Sequence, residues 1–377
     1  MPYWRLSNFY FFYFAVLGTL VPYWGLYLQS LGYDALAIGQ LVAIPMATKI
    51  IAPNVWGWIG DHYGHRMKIV RIASFASMLI FTSIFWVEGF WMLALSMVFF
   101  SFFWNASLPL FEVVTLAYLG EKVKKYGRIR LWGSVGFIIG VLILGFLIDE
   151  YGVQVVPVAI LFVYVGTWLA SMTVSDIATP HQDDNDGSII DVLKKPAVIA
   201  FLVAAFLMQF GHGAYYAFYS IYMDSIGYSK SLIGQLWAVG VGAEVIMFVF
   251  MYRFLEKYSA GKMLLFSLIF ASIRWLLIAW FADSLVILII AQTFHAATFG
   301  AFHAAAIHLV HYYFKGRHQG RGQALYGSLS FGAGGALGSL LSGGLWDSVG
   351  PSVTYSISAG VSLLAVLVIW RWHSDAV

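Results

Sequence analysis

Five ionisable side chains stand inside long apolar runs of this chain or at their margins: Lys49, Glu112, Arg130, Glu244 and Arg274. A charge at the centre of a bilayer costs at least ~2.5–3.5 kcal/mol on insertion scales, so each is a candidate for function. A carboxylate in such surroundings can take up and release a proton, because burial favours the neutral acid and a nearby cation favours the anion. Glu244 is read as that group. His295 and His303 stand with it as further proton-coupling candidates, since imidazole titrates near neutral pH. His212 and His308 are two more histidines in the apolar runs. A guanidinium offers a planar fork to a carboxylate and a lysine offers a point charge. Arg130 first, then Lys49 and Arg274, are the candidates to receive an anionic substrate. The chain has no cysteine, which excludes a disulfide framework, a thiolate metal site and a cysteine nucleophile. No H-E-x-x-H spacing and no clustered catalytic set occurs, so the reading is neither an enzyme nor a metal or cofactor protein.

The surroundings of these residues explain why they stand out. Of 377 residues, 61% are hydrophobic and 10% charged, against about 25% charged in a soluble domain. So few charges cannot cover a water-facing surface. A spanning helix needs roughly 20 mostly apolar residues, because the hydrocarbon core is about 30 Å thick. Apolar runs between charged punctuation predict twelve such helices, at 8–31, 35–59, 68–87, 90–117, 131–148, 153–175, 197–223, 229–252, 262–281, 284–310, 323–346 and 351–371. The first is too long for a signal peptide. Eighteen of the 21 lysines and arginines fall on one side of this arrangement, and positive loops stay cytoplasmic. Both termini are therefore expected in the cytoplasm, with the chain in the inner membrane. Topology accounts for the net charge of +3, so no nucleic acid partner is called for.

The chain also repeats itself. LGYDALAIGQL at 31–41 returns as IGYSKSLIGQL at 226–236, and LWGSVGFIIG at 131–140 returns as LYGSLSFGAG at 325–334. Asp149 and Gly152 are echoed by Asp347 and Gly350. A six-helix half at 1–175, a polar cytoplasmic linker at 176–196 centred on HQDDND, and a second half at 197–377 is the organisation of a transporter whose halves rock around a central site. The offset of 195 residues makes Lys49 and Glu244 equivalent positions on the second and eighth helices. Pseudo-symmetry then sets opposite charges on matching sides of a central cavity, or joins them as an ion pair between the halves.

Gly57-Trp58-Ile59-Gly60-Asp61-His62-Tyr63-Gly64-His65-Arg66 resembles the loop signature of the major facilitator superfamily. In that reading Gly60 and Gly64 allow a tight turn and close helix approach, with Gly57 a further member of the motif. Asp61 faces the positive end of a neighbouring helix, and Arg66 anchors the loop; the set forms a conformational latch. Asn105…Pro109…Glu112, followed by Tyr126-Gly127-Arg128-Ile129-Arg130, resembles the lactose permease and its oligosaccharide, nucleoside and phenylpropionate relatives. The resemblance implies a substrate-binding pair of Glu112 and Arg130, with Phe137 at the place of a substrate-stacking tryptophan. Glu244, Arg274 and His295 match further polar positions of that permease. Thr298 stands where it has a glutamate and Gly334 where it has a lysine, so lactose is not the expected substrate. A nearer likeness, through YGRIRLWGSVGFIIG, AYYAFYSIYMDSIGYS and the His295-to-His303 stretch, is to the phenylpropionate/proton symporters. The resemblance implies an all-α integral membrane fold of two pseudo-symmetric halves and import, with protons, of a small organic solute such as an aromatic carboxylate. A sugar or nucleoside symporter is the alternative, with an efflux antiporter or a non-transporting receptor behind it. The expected partners are that solute, the proton and the lipid bilayer, and the expected unit is a monomer. The remaining aromatics, including Tyr215, Tyr216, Tyr219 and Tyr222, are read chiefly as helix packing.

Overall fold

The computed structural model describes residues 1–177, 189–316 and 318–372, and all regular secondary structure among them is helical. The first six spans are α1 (Tyr3–Ser30), α2 (Ala35–Tyr63), α3 (Arg66–Phe81), α4 (Phe90–Leu119), α5 (Tyr126–Tyr151) and α6 (Val156–Met172). A short α7 (Ile189–Leu193) precedes the seventh, eighth and ninth spans: α8 (Pro196–Ile226), α9 (Lys230–Lys257) and α10 (Ala260–Trp280). The tenth span is Leu285–Tyr313. A last apolar helical stretch, His318–Trp372, is broken at Gly350, whose φ of 82° no continuing helix adopts, and so contributes two spans. Twelve candidate spans result among the described residues, as hydrophobic run length implies. HQDDND and Arg317 lie outside the described residues.

Local chemistry explains the starts and stops. Asp34, Ser229 and Ser259 accept from the third main-chain N–H of α2, α9 and α10, the preferred role of such residues at a helix start. Gly64 and Gly227 end their helices in the left-handed region. The helices run longer than hydrophobicity alone predicts: the first starts at Tyr3 and the fifth at Tyr126. Polar residues of these extra turns find partners within the bundle, Tyr126 on Glu112 and Arg130 over Phe14, so the helix continues past the apolar run.

Two spans are not regular. The tenth widens into a π-helical turn at Ala296–Ala301 and the eleventh into another at Ser328–Gly334. Each leaves main-chain groups off the ordinary ladder, a feature common beside functional sites. Small residues let the spans approach: a Cβ on Gly136 would lie 2.0 Å from the Phe11 carbonyl oxygen, and one on Gly338 2.1 Å from that of Phe210. Helix association in lipid relies on such close van der Waals fit. The first span thus seats against the fifth, and the seventh against the eleventh.

Candidate substrate and proton site

The densest polar cluster is built on the eighth, ninth and tenth spans. Arg274 is fully buried. Its Nη1 donates to His295 Nδ1 at 3.0 Å and to Thr298 Oγ1 at 3.2 Å, and its Nη2 donates to Gln292 Oε1 at 3.0 Å. The same Gln292 oxygen accepts from the Tyr215 hydroxyl at 2.9 Å, and the guanidinium lies 4.4 Å from the Tyr215 ring centroid. Gln292, His295 and Thr298 are three residues apart, so one face of the tenth span presents all of them to Arg274. An arginine only donates, so His295 Nδ1 accepts. The neutral ring then carries its proton on Nε2, which faces Glu244 Oε2 at 3.4 Å. Glu244 reaches this position because Gly300, in the first π turn, leaves its side chain room: a Cβ there would stand 3.3 Å from Glu244 Cγ.

Among the described residues no carboxylate lies within 4.0 Å of Arg274. The threonine at 298 offers a neutral acceptor where a glutamate would have offered a charge. Glu244 stands one imidazole away, on the far side of His295.

Charges in the first half are arranged differently. Glu112 accepts from the Tyr126 hydroxyl at 2.9 Å, while the Arg130 guanidinium lies 3.7 Å above the Phe14 ring. Glu112 and Arg130 are neighbours in one electrostatic environment but make no ion pair. Gly133 makes the stacking possible, because a Cβ there would sit 2.7 Å from the arginine Nη1. Glu244 has Arg130 and His303 as its more distant charged or titratable neighbours, so Arg130 is within electrostatic reach of a carboxylate in each half. Lys49 makes no ion pair with Glu244, and no carboxylate lies within 4.0 Å of it among the described residues. Phe137 packs against Trp237 of the eighth span at 6.4 Å between ring centroids, on the seam between the halves.

His303 Nδ1 meets the Tyr326 hydroxyl at 3.1 Å, and its ring stacks on Phe299, which stacks in turn on His295. His212 donates from Nδ1 to the Met208 carbonyl at 2.8 Å and packs edge-on against Trp275. Gly334 leaves no space for a long side chain: a Cβ there would stand 2.5 Å from the Phe206 carbonyl oxygen, so the position serves packing against the seventh span.

At the loop between the second and third spans, Asp61 pairs with Arg66 instead of facing a neighbouring helix end. That second role falls to Asp176, whose Oδ1 accepts from Met67 N at 3.3 Å in the first turn of α3. Arg66 is the first residue of α3, so the Asp61 carboxylate is drawn to a side chain already beside it. Gly60 approaches Leu110 closely and Gly64 has φ 69°, whereas a Cβ on Gly57 would meet nothing within 4 Å. Gly57 therefore has no close-packing role.

Sequence reading missed Gln292, Tyr126 and Phe14 as site residues and treated Tyr215 as packing. Gln292 was detectable, since it precedes His295 by three residues on a helix already holding two site candidates. Nothing local marks Phe14 as the platform under Arg130, because that contact joins two distant spans.

Twelve helices crossing an apolar thickness around buried charges define a multi-pass membrane transporter. The chain belongs to the MFS_1 like family, which it matches over residues 3–357. It is 29% identical to the "Probable 3-phenylpropionic acid transporter" of Escherichia coli (strain K12), over 95% of this chain and 94% of that one. It is 26% identical to the maltose permease of Geobacillus stearothermophilus over 73% of this chain and 70% of the other. Its fold is similar to the crystal structure of nucleoside transporter NupG, with a TM-score of 0.81, 17% identity and 99% of each chain covered. The protein is thus a major facilitator secondary transporter and not an enzyme.

Proposed function

We propose that this transporter is a proton-coupled symporter that imports a small aromatic carboxylate, of which 3-phenylpropionate is the leading case, by alternating access. The observation that carries the reading is Arg274: a fully buried cation with no carboxylate within 4.0 Å among the described residues, linked to Glu244 through His295. While Glu244 is ionised it balances Arg274. Once Glu244 is protonated the site has uncompensated positive charge, and a substrate carboxylate restores the balance. Arg130, stacked on Phe14, is the first receiver of that carboxylate, with Lys49 beside the same route and Phe137 packing the aromatic ring. Glu112 is held by Tyr126 and completes the substrate set. An anion moving with one proton carries no net charge, so the pH gradient drives its uptake. In this reading residues 1–175 and 197–377 are the rocking halves joined by the 176–196 linker. Both termini face the cytoplasm across the inner membrane, the Gly57–Arg66 loop is the cytoplasmic latch, and the monomer is the working unit. The likeness to the phenylpropionic acid transporter supports the substrate class.

The test is proton movement in proteoliposomes with a pH-sensitive dye, with empty liposomes subtracted. External alkalinisation on adding 3-phenylpropionate or cinnamate, lost in Glu244→Gln, is the expected result. A response only to a galactoside or a nucleoside moves the protein to the sugar or nucleoside class, and no response to any of these removes the support for proton symport.

A further inference from the structure

Four hydrogen bonds between the first six and last six spans lie at one end of the molecule, opposite the basic loops, while two more, Ser328 to the Ile50 carbonyl oxygen at 3.3 Å and Ser339 to Met46 Sδ at 3.7 Å, lie deeper along the second and eleventh spans. Two of the sites are built alike. Asp149, at the end of the fifth span, accepts from Lys230 N at 2.9 Å and from Ser231 N at 2.8 Å, the first two main-chain donors of α9. Asp347, at the end of the eleventh span, accepts from Ala35 N at 3.3 Å, the first donor of α2. The third donor of each helix is met locally: Leu232 N by Ser229 at 3.2 Å and Ala37 N by Asp34 at 2.8 Å. Each helix start is thus capped twice, once by its own half and once by a carboxylate of the other. The first N–H groups of a helix have no partner within it, and they carry the positive end of the helix dipole, which favours an anion.

The surroundings keep these reaches short. Tyr23 sits on the Asp149 side, its hydroxyl 2.8 Å from the Val141 carbonyl oxygen and 3.2 Å from that of Lys230. A Cβ on Gly145 would stand 2.6 Å from the Lys230 carbonyl oxygen, and one on Gly343 2.6 Å from that of Ala35. The helix ends touch through bare backbone at both places.

We propose that Asp149 and Asp347 are paired clasps of a single gate: each carboxylate caps a helix of the opposite half while this end is shut, and both release when it opens. Helix donors freed by release pass to water, where the exposed carboxylates of Asp149 and Asp347 already lie. The clasp therefore adds to closure without trapping the transporter. A purely buried contact at this place would have to expose apolar surface instead. The two clasps are unequal, because Asp149 makes two short bonds and Asp347 one long one. The proposal concerns the gate alone and stands whatever the substrate.

The chain has no cysteine, so spin labels can be placed without background. Leu31→Cys and Ser225→Cys put one label on each half at this end, and electron–electron distance measurement in nanodiscs reads the ratio of shut to open molecules. In the Asp149→Ala/Asp347→Ala double variant that ratio is expected to fall about tenfold, the scale of one charge-assisted contact. Asp149→Asn is expected to lower it more than Asp347→Asn does. Asp34→Asn, which removes the same charge from a cap within one half, is expected to leave the distances in place. Should the double variant fail to fold, the three single Asn variants decide the matter. Unchanged distances in Asp149→Asn and Asp347→Asn, or an equal shift from Asp34→Asn, would overturn the proposal.

Discussion

Lys49 and Glu244 occupy equivalent positions of the repeat, yet their surroundings are opposite. Glu244 stands at the end of a connected chain that runs through His295 to Arg274, Gln292 and Tyr215. Lys49 has no carboxylate beside it among the described residues, and Arg130 rests on an aromatic ring with no carboxylate within 4.0 Å. A connected polar network holds protons at defined atoms, although the buried Arg274 Nε and Gln292 Nε2 have no hydrogen-bond partner among the described residues. Cations without partners are costly in an apolar setting and wait for an anion. The difference teaches that a duplicated fold need not keep its buried charges in matching surroundings: the second half holds Glu244 in a polar chain, and the first half leaves Lys49 without one among the described residues.

The sharpest way to break this comparison is Glu244→Gln, which keeps the shape and removes the titratable proton. Uptake against a gradient is expected to fall about a hundredfold, while exchange of labelled substrate persists. In the native protein uptake should decline as external pH rises, because the carboxylate must be protonated to move, and that slope should vanish in the variant. Gradient-driven uptake retained by the variant would move the proton elsewhere.

Arg274→Met comes next. Losing a hydrogen bond to a charged group is worth about 1.5–3 kcal/mol, or roughly ten- to a hundredfold in rate, so transport should fall in that range. The thermal unfolding temperature should hold or rise, because replacing a buried charge by an apolar group of similar volume is often neutral or stabilising. A large drop in that temperature would make Arg274 a structural residue.

Arg130→Lys keeps the charge and removes the planar fork over Phe14, and it should raise the KM for an aromatic acid about tenfold, a loss of about 1.4 kcal/mol. Lys49→Met should weaken anion uptake severalfold and leave a neutral analogue untouched. The smallest effect is expected from Tyr126→Phe, which frees Glu112 from one hydrogen bond and should change the KM about threefold, the low end of such contributions. A larger effect from Tyr126→Phe than from Arg130→Lys would show the first half to be as tightly wired as the second.

Much of this was legible in one dimension. The number of spans follows from hydrophobic run length, and the buried charges stand out because a charge in an apolar run is conspicuous whatever it touches. The repeat made Lys49 and Glu244 equivalent without any structure. Even Gln292 lay within reach, since helical spacing alone sets it on the face of His295. The limits are as specific. Asp61 was expected to face a helix end and instead meets Arg66, while Asp176 takes the helix end. Glu112 and Arg130 belong together in sequence motif, yet the first is held by Tyr126 and the second by Phe14.

The sequence by itself determined the solvent this chain folds in, the count of its helices and the list of residues able to carry charge through it. Those depend on composition and on spacing along one helix, which no neighbour can alter. Only the tertiary structure decided who meets whom: that Arg274 finds histidine, threonine and glutamine, that Lys49 finds no counter-ion among the described residues, and that Asp149 and Asp347 reach across to helices of the other half. Such partnerships turn on how far each helix rotates and slides against the next. Packing of small residues against backbone sets those ångströms across spans far apart in the chain, and no local pattern records them.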